Sequence, residues 1–506
     1  MRSVGTLQVC YGVLLLLAMS AVQAELPVEA PQLFPANKAV NVNPDTHLVL
    51  SFTSPPTIGA AGLIRIYDAH DGALIDTLDM SIPPSPRPTG RAPRSTEAER
   101  QALAAATKMS DFQVNTVGGI DFHFFPIIVR GNTARIYPHN NKLEYGRTYR
   151  VQMDRGVLKT SQGDFAGFPS SGDWVFSTKQ SAPPVNTQRV VVAADGSGDF
   201  NTVQGAIDFA PANPAQRLTI FIENGNYEEL VFLGGKSNLT IRGEDRERVH
   251  VGYRNNSTFN PSRGGPSRRP AFSIQDATAI QLSNFTINNY FIGQAEALLV
   301  RGEQIVIDRM TLNGSGDALT TYGTIYMVDS KLTGHGDTML AYAALYCLRC
   351  EIHSSGPFTW TRTPRDRHGN VFVDSTFIAI DEPLPWTVNA DGSGGQQASK
   401  VLARLPRNGP AGTAYANFPY AQMVLINART SGVPPEGWGP IEAAPGFDSS
   451  NVRFWEFNTR DMQGRPVDVS RRHSVSRQLS QHRDAKIIAD YSSPEFVLGG
   501  WKPTVY

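Results

Sequence analysis

Short apolar runs recur at nearly constant intervals in the second half of the chain. They end at Ile287, Leu312, Leu332, Ile352 and Phe377, which are 25, 20, 20 and 25 residues apart. A repeat of this length, with short β-rich runs separated by Gly, Asn or Ser turns, is typical of a solenoid whose coils stack on one another. The pattern therefore predicts a parallel β-helix.

One phrase occurs twice within this repeat. Residues 314–317 read Gly-Ser-Gly-Asp, and residues 334–337 read Gly-His-Gly-Asp. Stacked parallel strands lie about 4.8 Å apart, so Asp317 and Asp337 are expected almost directly above each other. Two carboxylates this close cannot both ionise freely, so one pKa should rise while the other stays low. The pair predicts an acid and a base, although Asp in such turns also serves simply to accept backbone N–H bonds.

The first half of the chain has a different pattern. Alternating apolar and polar runs at 48–52, 63–67, 134–137, 149–153 and 174–177 are separated by turn residues, which is typical of a β-sandwich. Residues 35–52, 143–151 and 173–179 resemble the corresponding parts of bacterial Ig-like domains. We expect such a domain over residues 25–179, with an insertion at about 83–125 that contains one short helix at 95–107. A Pro-containing linker follows at 180–188, and the second domain spans 189–506. A helix is expected at 474–491, near the C-terminal end of this domain.

The N-terminus is predicted to be a secretory signal peptide over residues 1–24. Arg2 precedes an apolar run at 13–19, and Ala24 ends a Val-Gln-Ala site. The apolar run is too short for a stable membrane anchor. We therefore expect a secreted or periplasmic protein without a membrane anchor.

Composition narrows the partners that the chain is expected to bind. Its 46 Lys and Arg residues balance 46 Asp and Glu residues, so nothing favours nucleic acid or an anionic membrane, and an acidic substrate must be met by local Arg or Lys. Cys347 and Cys350 are interpreted as packing residues, because two sulfurs without further Cys or His ligands leave a metal site incomplete. We expect no metal, no cofactor and a monomer.

From its first strand onward the second domain resembles the pectinesterase (pectin methylesterase) catalytic domain, a right-handed parallel β-helix. The resemblance covers about 189–504, nearly the whole domain. The phrases that carry it lie at 190–207, 218–222, 225–229, 239–243, 293–298, 314–317, 334–337, 356–359, 402–404 and 434–438.

The resemblance implies a role for each matching residue. Asp337 matches the nucleophile that attacks the methyl ester carbonyl, and Asp317 matches the general acid that later acts as a base. Arg404 matches the arginine that holds the nucleophile as an ion pair, and Gln294 matches a donor to the oxyanion. A guanidinium beside Asp337 should keep it ionised while Asp317 stays protonated.

Two positions depart from the family pattern. Gly316 stands where the family has a glutamine donor, and loss of one oxyanion donor costs about 10²- to 10³-fold in rate in other enzymes. Leu405 follows Arg404 where the family has a tryptophan that helps to bind the sugar. We considered Trp360, Tyr322 and His335 as replacement substrate contacts, against the alternatives of core packing for the aromatic rings and a solvent-facing turn for the histidine.

Three hypotheses follow. The first is hydrolysis of galacturonan methyl esters, with polysaccharide as the substrate. The second is another β-helix carbohydrate enzyme, a hydrolase or a lyase. A glycosidase also uses two carboxylates, but an arginine paired with one of them fits ester hydrolysis better, and a Ca²⁺-dependent lyase needs a larger acidic cluster than the sequence shows. The third is a diverged polysaccharide-binding protein with weak or no esterase activity, which the two departures favour.

Overall fold

A computed structural model of the protein describes residues 30–91, 102, 108–169, 174–342, 344–389, 391–404, 418–439 and 450–506. The predicted signal peptide and all of the predicted 95–107 helix except residue 102 lie outside these ranges. Leu405 lies outside them as well.

The N-terminal domain is built from short, mostly antiparallel strands. The sheets have the orders β1-β3-β10-β9, β2-β14-β11-β5-β6, β13-β12-β4 and β7-β8, and β2 pairs with β14 in parallel. Its strands are β1 Gln32–Phe34, β2 Ala39–Val42, β3 Leu48–Ser51, β4 Thr57–Ile58, β5 Leu63–Asp68, β6 Leu74–Asp79, β7 Val114–Val117, β8 Ile120–His123, β9 Ile127–Arg130, β10 Thr133–Ile136, β11 Thr148–Met153, β12 Leu158–Thr160, β13 Gly163–Asp164 and β14 Val175–Thr178. The predicted all-β domain is confirmed, and its assignment as Ig-like stays a prediction.

The second domain is a parallel β-helix, as predicted. One parallel sheet of fifteen strands runs from β15 to β37, and a second of eight strands has the order β17-β20-β22-β24-β26-β29-β32-β35. The strands are β15 Arg189–Val192, β16 Leu218–Ile222, β17 Gly225–Glu228, β18 Val231–Gly234, β19 Ser237–Gly243, β20 Val249–Tyr253, β21 Phe272–Ser283, β22 Thr286–Asn289, β23 Leu298–Asp308, β24 Thr311–Asn313, β25 Leu319–Val328, β26 Lys331–Gly334, β27 Met339–Ala341, β28 Ala344–Leu348, β29 Glu351–Ser354, β30 Thr359–Thr361, β31 Asn370–Val373, β32 Thr376–Ala379, β33 Ala403–Arg404, β34 Gln422–Ile426, β35 Arg429–Ser431, β36 Arg453–Phe457 and β37 Ser476–Gln478.

The apolar repeat sets the register of the coils. Ile287 pairs with Leu312, Leu312 with Leu332, Leu332 with Ile352, and Ile352 with Phe377. All five side chains are fully buried in the solenoid core. The intervals of 25 and 20 residues are therefore the lengths of successive coils, and residues 20 apart in the central coils lie on neighbouring rungs.

Helices are few in the described part of the chain: one covers the first coil, and the two near the C-terminus pack on the outside of the solenoid against residues such as Tyr346 and Val371. The described α-helices are α1 Val203–Phe209, α2 Gln481–Tyr491 and α3 Pro494–Val497, with 3₁₀ turns at Met109–Asp111 and Pro385–Thr387. The sequence favoured helix from 474 to 491, but β37 occupies Ser476–Gln478 and α2 begins at Gln481. None of the described helices combines the length and apolar character needed to cross a membrane.

Helix α1 covers the first coil and joins the two domains. Its N-cap Thr202 accepts a bond from the Gly205 N–H. Asp45 of the N-terminal domain accepts bonds from the backbone N–H groups of Asn201 and Thr202, and Glu229 accepts from the first two helical N–H groups. These carboxylates satisfy donors that a helix N-terminus otherwise leaves free.

Apolar packing extends this junction. Leu230, Phe232, Tyr253 and Ala271 of the solenoid belong to the hydrophobic core of the N-terminal domain. A cavity of about 470 Å³ lies between the domains, lined by Tyr137 among others. The aspartate turns at 314–317 and 334–337 do not line it.

The register of the coils predicts which substitutions lower the stability of the solenoid. Leu332→Ala should lower the free energy of unfolding by about 2–5 kcal/mol, because it leaves a cavity in a fully buried stack. Lys331→Ala, at the outward-facing neighbour that pairs with Glu351, should change it by less than about 1 kcal/mol. Chemical denaturation of the two variants measures the difference; equal effects would contradict the assigned register.

Candidate active site

Two consecutive coils bring the aspartate turns together. Strand pairing holds the 20-residue offset on both sides of the turns, from Asn313 with Thr333 to Leu319 with Met339. Between these pairs the backbone N–H of His335 donates to the Gly316 carbonyl, at 3.3 Å, and the Ala318 N–H donates to the Thr338 carbonyl, at 2.8 Å. Asp317 therefore lies one rung from Asp337, as the repeat predicts.

Arg404 reaches this pair from a later coil. Strand β33 adds to β30, with Arg404 opposite Trp360. The guanidinium forms an ion pair with Asp337 and is partly exposed, whereas the carboxylate is largely buried. The structure thus brings Asp317, Asp337 and Arg404 to one site, as predicted from the sequence.

The surroundings of the two carboxyl groups differ. Burial raises the pKa of Asp317 well above its usual range, Glu296 and Asp337 raise it further, and Arg269 and Arg362 oppose the shift. The structure therefore supports the expectation that Asp317 holds a proton.

The second carboxyl group has a stronger counter-charge. Burial raises the pKa of Asp337, and the ion pair and hydrogen bond from Arg404 act in the opposite direction. Because Arg404 favours the charged form of Asp337, the two groups are suited to be an acid and a base in one site.

Gln294 lies beside the first aspartate turn. Its neighbour Ala295 forms a β-bridge with Ser315, and its own side chain is exposed. Gly316 has a φ of +74°, and a Cβ there would lie 2.7 Å from the Gly293 carbonyl oxygen. The backbone therefore requires glycine at 316, which gives a physical reason for the missing donor at this position.

Trp360 lies against charged side chains. The guanidinium carbons of Arg362 and Arg404 lie 3.6 and 4.0 Å from the centre of its ring. Such contacts stabilise a cation over an aromatic face. Trp360 thus helps to hold Arg404, and its predicted contact with a sugar stays a prediction.

Tyr322 belongs to a stack on successive coils. Its ring lies parallel to that of Tyr342, with centroids 4.4 Å apart, and the Arg301 guanidinium lies 4.6 Å from its centroid. Arg362 lies one coil beyond Tyr342 and donates to its hydroxyl. This stack, made of Arg301, Tyr322, Tyr342 and Arg362, forms a cationic and aromatic wall.

His335 is half-buried at the second aspartate turn. Burial lowers its pKa, and Glu382 opposes the shift. Its imidazole is therefore favoured in the neutral form at neutral pH. A neutral imidazole has both a donor and an acceptor nitrogen, but whether it contacts substrate stays a prediction.

The charged residues at this site that the sequence interpretation did not name include Glu296 and Arg269. Glu296 is fully buried, and its Oε1 lies 2.5 Å from Arg269 Nη2. The same guanidinium nitrogen lies 3.7 Å from Asp317 Oδ2. Glu296 stands in the 293–298 phrase at a position flanked by apolar residues, which was the one signal in the sequence; Arg269 belongs to no repeat.

Comparison with known proteins identifies the family that the second domain resembles. The Pectinesterase family model matches residues 189–370. Pectinesterase/pectinesterase inhibitor 18 of Arabidopsis thaliana is 29% identical over 63% of this chain and 55% of its own length. Probable pectinesterase/pectinesterase inhibitor 19 of the same plant is 30% identical over 30% of each chain. The chain thus spans about half or less of the length of these two relatives.

The match to a bacterial relative covers a larger share of that relative's length. A pectinesterase of Ralstonia nicotianae is 25% identical over 53% of this chain and 78% of its own length. The solved structure of a pectin methylesterase from carrot aligns with a TM-score of 0.47 and 20% identity, over 62% of this chain and 93% of that one.

Proposed function

Because residues 189–370 match the Pectinesterase family model, we propose that this chain is a carboxylic ester hydrolase that removes methyl esters from galacturonan, the polymer of pectin. The observation that carries the proposal is the site in which Arg404 forms an ion pair with Asp337 one rung from Asp317, whose pKa burial raises well above its usual range. An ionised carboxylate next to a carboxylic acid meets the needs of ester hydrolysis through a covalent intermediate.

In the first half of the proposed reaction Asp337 is the nucleophile. Its carboxylate oxygen attacks the ester carbonyl carbon, and the negative charge moves to the carbonyl oxygen. When this tetrahedral intermediate collapses, the bond to the methoxy oxygen breaks and Asp317 transfers its proton to that oxygen. Methanol leaves, and the galacturonoyl group is joined to Asp337 as an anhydride.

In the second half the same two groups act with water. Asp317, now ionised, takes a proton from a water molecule whose oxygen attacks the anhydride. The bond to Asp337 breaks, the uronate product is released, and Asp317 is protonated again for the next cycle. Arg404 stabilises the carboxylate of Asp337 before the attack and after the release.

We propose that Gln294 donates a hydrogen bond to the developing oxyanion, because its exposed side chain lies next to the first aspartate turn. The charge of a galacturonan chain suits the cationic and aromatic wall, because free uronates are anions and the wall contributes Arg301 and Arg362. Trp360, Tyr322 and His335 remain the candidate sugar contacts.

We further propose that residues 1–24 act as a signal peptide that directs export of the protein. We also propose that the protein is a monomer and needs no cofactor.

The test is to incubate the purified protein with methyl-esterified galacturonan and to measure methanol and polymer length in the same reaction. The proposal predicts release of methanol with unchanged polymer length. Shortening of the chains without methanol would instead identify a glycosidase or a lyase.

A second candidate is a polysaccharide-binding protein with weak or no turnover. The observation in its favour is Gly316, because the backbone there excludes the side chain that could donate to the oxyanion. Saturable binding of galacturonan together with no methanol release would select this candidate.

A further inference from the structure

The guanidinium of Arg269 faces two carboxyl groups at once. Its Nη2 lies 2.5 Å from Glu296 Oε1 and 3.7 Å from Asp317 Oδ2. Glu296 is fully buried and also accepts a bond from the Thr320 hydroxyl, at 3.3 Å. Because the contact with Glu296 is shorter, Arg269 interacts more strongly with Glu296 than with Asp317.

Building on the proposed function, we propose that Glu296 is a positioning residue that holds the charge of Arg269 away from Asp317, so that Asp317 keeps the proton it must give to the departing alcohol. Arg269 in turn provides the counter-charge that the buried Glu296 requires. Neither residue has an assigned role in the reaction proposed above.

The charges around Asp317 explain why this arrangement matters. Glu296 and Asp337 raise the pKa of Asp317, and Arg269 and Arg362 lower it. If Glu296 lost its charge, Asp317 would become the nearest carboxylate to Arg269. An arginine paired with an aspartate typically lowers its pKa by about 1–3 units, which would ionise the acid at the pH of the reaction.

A purely structural ion pair is the competing explanation. A carboxylate buried this completely is costly unless it is paired and hydrogen-bonded. Arg269 and Thr320 supply partners for Glu296 Oε1, whereas Oε2 has no hydrogen-bond partner among the described residues. A structural pair would change stability when it is removed, but it would leave the titration of Asp317 unaltered. The titration therefore separates the two explanations.

The test uses Glu296→Gln, which keeps the shape of the side chain and removes its charge. Activity depends on protonated Asp317, so it falls as the pH rises through the pKa of Asp317. We expect the alkaline limb of the pH profile of kcat to move to lower pH by about one unit or more. At pH values above the new limb kcat should fall at least about tenfold, with KM little changed.

Two further variants sharpen the experiment. The double variant Glu296→Gln/Arg269→Gln removes both charges, so the alkaline limb should return toward that of the wild type. Glu303→Gln is the matched control, because Glu303 also pairs with an arginine, Arg367, and accepts a bond from a threonine, yet lies on the outer surface. It should leave the profile unchanged.

Carbon NMR titration of the Asp317 carboxyl group tests the same inference without turnover. It should show a lower pKa for Asp317 in Glu296→Gln and a restored value in the double variant. An unchanged pKa in a folded Glu296→Gln protein, or a loss of kcat that is equal at all pH values, would overturn the inference. Absence of methanol release by the wild type would reject the proposed function and leave this titration as the deciding result.

Discussion

Asp337→Asn should reduce methanol release by at least about 10⁴-fold, since losses of this size or larger follow removal of the nucleophile in enzymes that form an acyl intermediate. The amide oxygen is a poor nucleophile and cannot form the anhydride. Asparagine is preferred to alanine here because Asp337 has a φ of +48°, a conformation that asparagine tolerates. Initial rates of methanol release from esterified galacturonan measure the effect.

Asp329→Asn is the matched control for this variant. Asp329 has a φ of +49° and forms an ion pair with Arg349, at 2.7 Å, so it resembles Asp337 in backbone and partner. It lies elsewhere on the solenoid and should keep nearly full activity. If Asp337→Asn, folded as well as the control, retained more than a tenth of wild-type activity, Asp337 would not be the nucleophile.

Asp317→Asn should reduce methanol release by about 10²- to 10⁴-fold, the usual contribution of a positioned acid or base. The amide cannot protonate the departing methoxy group or take a proton from water. The pH profile should change as well. The wild type should lose activity as the pH rises through the raised pKa of Asp317, whereas the variant should lack this alkaline limb.

A change of leaving group checks the role of Asp317. An aryl ester releases a phenol that leaves without protonation, so Asp317→Asn should slow release of the aryl alcohol less than release of methanol. This comparison is made on the first release step with enzyme in excess. An equal loss for both esters would show that Asp317 does not act as the acid.

The repeat allowed much of the site to be predicted. In a solenoid, vertical position follows from sequence spacing, so the 20-residue offset between Asp317 and Asp337 already implied neighbouring rungs. The apolar residues that set this offset, such as Leu312 and Leu332, are fully buried and pair in the predicted register. The role of Arg404 could be predicted only from the family resemblance. Arg404 lies 67 residues from Asp337 in the sequence, so the repeat does not relate the two positions.

Other features depend on contacts that no repeat encodes. Arg269 precedes β21 in a coil without a regular spacing, and its pairing with Glu296 depends on how that segment packs. The contact of Arg362 with Trp360 depends on side-chain direction beyond the end of a strand. The start of α2 was misplaced because tertiary pairing of β37 with β36 overrides the local preference for helix.

The central claim is that neighbouring rungs present Asp337 to a substrate ester beside Asp317. The most direct test is a crystal structure of Asp337→Asn with a methyl-esterified galacturonan oligosaccharide. We expect the ester carbonyl carbon to lie about 3–3.5 Å from the side chain at position 337, with the methoxy oxygen within hydrogen-bonding distance of Asp317. An oligosaccharide bound with its esters directed away from both residues, or no binding at this site at saturating concentration, would contradict the claim.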